Sequence, residues 1–166
     1  MQSLTIDGHE YETKLDYNFY NRLIEKTKNK DNATADGFSQ LVAGLVDQDP
    51  DAIITFYQAA VVGKKRPTRA DVEKALAEMG VWDEKDPYGT VYKEIQNVGF
   101  LKLKINHLLH TLHEDITTSK AALEVVEETN DNSKEGKKNL AEAQNGVALA
   151  KKQYELTKKF LEQLGK

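Results

Sequence analysis

Three imidazoles fall within seven residues, at His107, His110 and His113, and imidazole is both a metal ligand and the side chain that titrates near neutral pH. A two-histidine metal site on a helix places its ligands four residues apart, so that both lie on one face. None of these pairs has that spacing. At about 100° per residue they fan over one side of a helix, opposite a stripe of Leu101, Ile105, Leu108 and Leu112. The pattern predicts a solvated polar face, with a pH-sensitive contact as the alternative, and metal is set aside. Asp47, Asp49 and Asp51 imitate the opening of a calcium loop. Ala52 stands where the turn glycine belongs, Pro50 interrupts the run and Gln58 replaces the bidentate glutamate, so a helix cap and turn is the better account.

The remaining chemistry is excluded by what the residues lack. The 166-residue chain has no cysteine, which removes thiol nucleophiles, disulfides and Cys-ligated zinc. It has no Gly-x-Gly-x-x-Gly, no phosphate loop and no Gly-x-Ser-x-Gly elbow. Its carboxylates read as helix-face charges or caps, so no acid/base pair can be nominated, and no cofactor is expected. Binding is the chemistry that is left.

One basic cluster stands out, Lys64-Lys65-Arg66-Pro67-Thr68-Arg69. A surface loop, a contact for an acidic protein and a nucleic-acid contact are the three readings. The net charge of −4 argues against a chain built to neutralise phosphates. No run approaches the roughly 20 apolar residues of a membrane helix, and the N-terminus lacks a signal-peptide pattern. These features predict an intracellular protein without a membrane partner. Trp82 and Tyr88 lie in a stretch broken by Gly80, Pro87 and Gly89, either capping the core or anchoring a partner.

These residues need elements to hold them. Asp7-Gly8 between two short runs predicts a tight β-hairpin in which Ile6 faces His9 and Leu4 faces Tyr11. Leu4, Ile6, His9, Tyr11 and Leu15 share one face of it. A hairpin alone is marginal, so that face must pack on helices or on another subunit. Helical spacing then predicts helices over about 17–28, 36–46 and 52–62. A further helix is capped by Thr68 with Asp71 and closed by Gly80, and a long one runs from about Thr90 into Asp115.

The last fifty residues differ in charge. From Thr117 onward the chain carries +1, against −5 for the part before it. A polar break spans about 129–136. Beyond it Leu140, Ala143, Val147, Ala150, Tyr154, Thr157, Leu161 and Leu164 repeat at 3-4 spacing, a thin heptad seam suited to a partner helix. The expected class is α+β, mostly α: an N-terminal β-hairpin, a compact helical unit over 1–116, and a charged helical arm or hairpin over 117–166.

The order of parts resembles a known family. The run Leu4-Thr5-Ile6-Asp7-Gly8-His9-Glu10-Tyr11-Glu12 leads into Asp16-Tyr17-Asn18-Phe19-Tyr20-Asn21-Arg22-Leu23. Gly37-Phe38-Ser39-Gln40-Leu41, the Asp49-Pro50 break, Ala52-Ile53-Ile54-Thr55-Phe56-Tyr57-Gln58-Ala59-Ala60 and Pro67-Thr68-Arg69-Ala70-Asp71-Val72-Glu73-Lys74-Ala75-Leu76 follow. Over about residues 4–115 this is similar to the tail assembly chaperones of long-tailed phages and prophages, particularly those of Gram-positive hosts. The resemblance implies a non-enzymatic protein of the infected cell's cytoplasm, absent from the finished virion. It implies binding to the tape measure protein, delivery of tail tube subunits, and self-association into spirals or rings. It also implies, for many members, a second and longer form made by ribosomal frameshifting.

Expected contact residues are Leu4, Ile6 and Tyr11 on the hairpin, Lys64, Lys65 and Arg66 in the basic loop, and the aromatics Trp82 and Tyr88. Leu140, Val147, Tyr154 and Leu161 are expected to engage a helix. The competing reading is a helical regulatory or nucleic-acid-binding protein using loop 64–69, and a structural virion protein is a third class.

Overall fold

The Asp7-Gly8 turn forms as its residue types predict, with φ of 49° and 77°, the two left-handed positions of a tight hairpin turn. It joins β1 (Leu4–Ile6) to β2 (His9–Tyr11) in the register Leu4↔Tyr11, Thr5↔Glu10, Ile6↔His9. The structure, a computed structural model, describes residues 3–27, 36–63, 66–130 and 133–164. Within these, the hairpin is followed by seven α-helices, which makes the fold mostly helical α+β.

Leu4 and Ile6 are buried, and β1 packs on α4 (Arg69–Glu78). Past the hairpin, the chain makes one more antiparallel bridge, Thr13 to Val61. There the Lys14 N–H donates to the Ala60 carbonyl at 2.9 Å, and the Val62 N–H donates to Glu12 at 2.8 Å. This ties the exit of the hairpin to the end of α3 (Pro50–Ala60).

The core is built by α1 (Tyr17–Thr27), α2 (Gly37–Val46), α3 and α4, with α5 (Pro87–Gln96) against α2 and α3. Phe19, Phe38, Ile53, Phe56, Leu76 and Ile95 are completely enclosed. Each such side chain contributes about 1.5–3 kcal/mol by leaving water. Phe19 and Phe56 meet edge to face with ring centroids 5.6 Å apart. Gly44 sets the approach of α2 to α3, because a Cβ there would lie 2.9 Å from the Ala52 Cβ.

Caps explain where several helices begin. The carboxylates of Asp36, Asp49 and Asp86 accept N–H bonds from the first turns of α2, α3 and α5. Thr68 and Asp71 satisfy each other's backbone at the start of α4, a complete capping box. Gly80, at φ 71°, follows that helix and precedes a 3-10 turn over Val81–Asp83.

Two boundaries depart from the sequence expectation. The helix expected from Ala52 starts at Pro50, since proline's fixed φ suits the first helical position. The single helix expected from Thr90 to Asp115 is two, α5 and α6 (Gly99–Thr129), parted at Asn97-Val98. Asn97 caps α5, and the Val98 N–H turns back to the Ile95 carbonyl at 3.1 Å.

Contacts divide the chain into two units, residues 1–101 and 102–166. The second consists of α6 from Lys102 onward and α7 (Lys134–Leu164). The connection between these helices is short and the His113 and Tyr154 rings lie 5.4 Å apart, so they run side by side in opposite directions. Among the described residues of this unit, Ile105, Leu112 and Ile116 on α6 and Val147, Thr157 and Leu161 on α7 are buried.

Candidate partner-binding surfaces

The hairpin and the loop before α4 enclose a groove of about 430 Å³. Ile6, Asp7, His9 and Tyr11 form one wall, and Arg66, Pro67, Thr68 and Asp71 form the other. Thus Ile6, Tyr11 and Arg66, singled out separately in the sequence, come together. The groove offers an apolar patch, a phenol, one guanidinium and two carboxylates, a mixture suited to a peptide rather than to a phosphate backbone. One rim is fixed by the Lys74 ammonium, 3.1 Å from the Asp7 carboxylate. On the other, the Thr68 hydroxyl and N–H hold the Asp71 carboxyl below its usual range. Leu4 lies beneath this surface, fully buried, and supports the hairpin on α4.

Of the basic cluster, Lys64 and Lys65 lie outside the described residues. Arg66 is exposed. Arg69 binds the carboxylates of Asp51 and Glu73, and these bonds raise its basicity further. That cation therefore links α3 to α4 instead of presenting a bare charge.

Trp82 sits on the 3-10 turn with 37% of its surface exposed. Tyr88 is half-buried in the first turn of α5, and its hydroxyl donates to the Gln48 carbonyl at 2.7 Å. On α7, Val147 and Leu161 are buried, while Leu140 and Tyr154 are half-buried. Tyr154 takes His113 on one side and the Lys158 ammonium 5.8 Å from its ring centroid.

The three histidines are exposed, and His110 lies 3.4 Å from Glu114. Among the described residues no cluster of three or more His, Asp or Glu is arranged to hold a metal. No helix of the described residues is long and apolar enough to cross a membrane.

Two features escaped the sequence reading. Arg22 is buried within α1, where its Nε–H donates to the Ala59 carbonyl and its Nη2 lies 4.0 Å from the Asp16 carboxylate. Burial, and next the charge of Arg66, lower its basicity. Its position between Phe19 and Leu23 on the apolar face was the available signal. The second is an outward stripe on α7, with Leu149 at 66% and Leu156 at 46% exposure. Their seven-residue spacing lies in the same sequence as the seam, on the other side of the helix.

A two-stranded hairpin leading a capped helical unit, with a groove between the hairpin and the start of α4, defines the class as a mostly helical α+β protein. The sequence model of the family described as phage tail assembly chaperone protein, TAC, matches residues 3–110, and the chain belongs to that family. No curated protein and no solved structure matches it.

Proposed function

We propose that this chaperone binds the tape measure protein, keeps it soluble and helps bring tail tube subunits to it. The observation that carries the reading is the family match over residues 3–110, which takes in the hairpin, the Arg66 groove and α1 to α5. In this reading the tape measure protein presents long helices until tube subunits cover them, so the chaperone offers both apolar and charged contacts and later releases them. The groove beside Tyr11 and the half-exposed Trp82 supply contacts of that kind. In this reading the protein acts in the cytoplasm of the infected host, self-associates and is left out of the finished virion. It performs no catalysis and contacts no nucleic acid.

Co-expression with the tape measure protein of the same phage tests this reading. Soluble tape measure protein that co-purifies with the chain is the expected result. Insoluble tape measure protein, in equal amount with and without the chain, would overturn it.

A further inference from the structure

The arm formed by α6 and α7 carries two outward stripes of opposite charge. On α7, Leu149 and Leu156 are exposed, and Lys152 and Lys159 repeat with them at seven-residue spacing. A groove lies along this stripe, lined by Lys152, Glu155, Leu156, Lys158, Lys159 and Glu162, three lysines to two glutamates. On α6, Val125 is 60% exposed, with Ala121 exposed one turn before it and Glu124 and Glu128 beside it. At about 100° per residue both stripes turn away from the buried sides of their own helices, which carry Ile116 on α6 and Val147 and Leu161 on α7.

We propose that a second copy of this chain docks here, its α6 stripe of Val125, Glu124 and Glu128 lying on the α7 stripe of Leu149, Leu156, Lys152 and Lys159. The occupant follows from complementarity. The outermost charges that repeat with the apolar residues are lysines on α7 and glutamates on α6, with Glu155 and Glu162 flanking the lysines, and the same chain supplies both halves. Glu124 and Glu128 stand one turn apart and repel each other; Lys120, one turn before Glu124, offsets part of that repulsion and facing lysines relieve the rest. Contact between two different stripes either closes as a two-fold dimer, each α6 on the other copy's α7, or runs head-to-tail into rings or open spirals, and the measured mass tells these apart. This inference rests on the self-association in the proposed function and does not depend on tape measure binding. The whole α7 stripe lies beyond residue 110, where the family match ends.

Multi-angle light scattering of the full chain at rising concentration tests it, with circular dichroism to establish that each variant is folded. Wild type is expected to exceed the monomer mass and to dissociate as salt is raised. Lys152→Glu with Lys159→Glu, and separately Glu124→Lys with Glu128→Lys, should each weaken association at least tenfold. Mixing the two variants should restore a complex through the swapped charges. A monomeric wild type would overturn both this surface and self-association. An oligomeric wild type whose mass neither double variant changes would overturn this surface alone. Loss of tape measure binding in the lysine variant, with oligomer mass unchanged, would make a partner helix the occupant and overturn the second copy.

Discussion

The Tyr88 hydroxyl reaches the Gln48 carbonyl at 2.7 Å, joining the first turn of α5 to the turn between α2 and α3 across forty residues of sequence. Gln48 itself sits at φ 56°, a left-handed position that a non-glycine residue holds only when its surroundings fix it. Tyr88→Phe keeps the ring and removes the bond. It is expected to lower unfolding free energy by about 1 kcal/mol in urea titration, with the m-value unchanged. Unchanged stability accompanied by weaker partner binding would show that the hydroxyl serves a partner instead.

Gly44 tests the packing of α2 on α3. A Cβ added there meets the Ala52 Cβ at 2.9 Å, and Ala52 is backbone-anchored, so neither helix can yield without moving its neighbours. Gly44→Ala is therefore expected to destabilise by about 1–3 kcal/mol, although the same change on an open helix face is stabilising. Thermal unfolding measures it, and a raised midpoint would contradict this close approach.

Gly8 sets the hairpin and through it the groove. At φ 77° an alanine strains the turn, at a cost of about 1–2 kcal/mol. Gly8→Ala should lower stability and weaken peptide-like partners that contact Tyr11 and Arg66. Isothermal titration against the tape measure protein reads the second effect, and unaltered affinity would place the contact elsewhere.

Acid should loosen the start of α1. Burial alone would raise the Asp16 carboxyl, but the Phe19 N–H and the Arg22 charge outweigh it and leave it below its usual range. A carboxyl lowered by folding stabilises above its unfolded value, about 3.9, and that contribution is lost as pH falls through the folded value. Urea midpoints below about pH 4 should fall less steeply for Asp16→Asn than for wild type. Identical pH profiles would remove Asp16 from the account.

The legible parts of this fold are those governed by local geometry. Asp7-Gly8 announced both the turn and its register because two left-handed positions admit few residue pairs. Thr68 and Asp71 announced a helix start through a bond pattern three residues long. The break at Asn97-Val98 was hidden because Leu101, Ile105 and Leu112 continue a helical stripe that overrode one Asn and one Gly. Arg22 was hidden for a different reason, since only the tertiary approach of the Ala59 carbonyl makes a buried guanidinium tolerable. The groove is tertiary as well. Arg66 and Tyr11 are distant in sequence, and the Thr13–Val61 bridge that joins their segments has no local signature.

The central claim is chaperoning of tail assembly through direct binding of the tape measure protein. Affinity purification of the tagged full chain from phage-producing cells, read by mass spectrometry, tests it most directly. The account predicts recovery of the tape measure protein with tail tube subunits, and absence of the chain from purified virions. An eluate without tape measure protein, or the chain found as a stoichiometric component of finished particles, would contradict it.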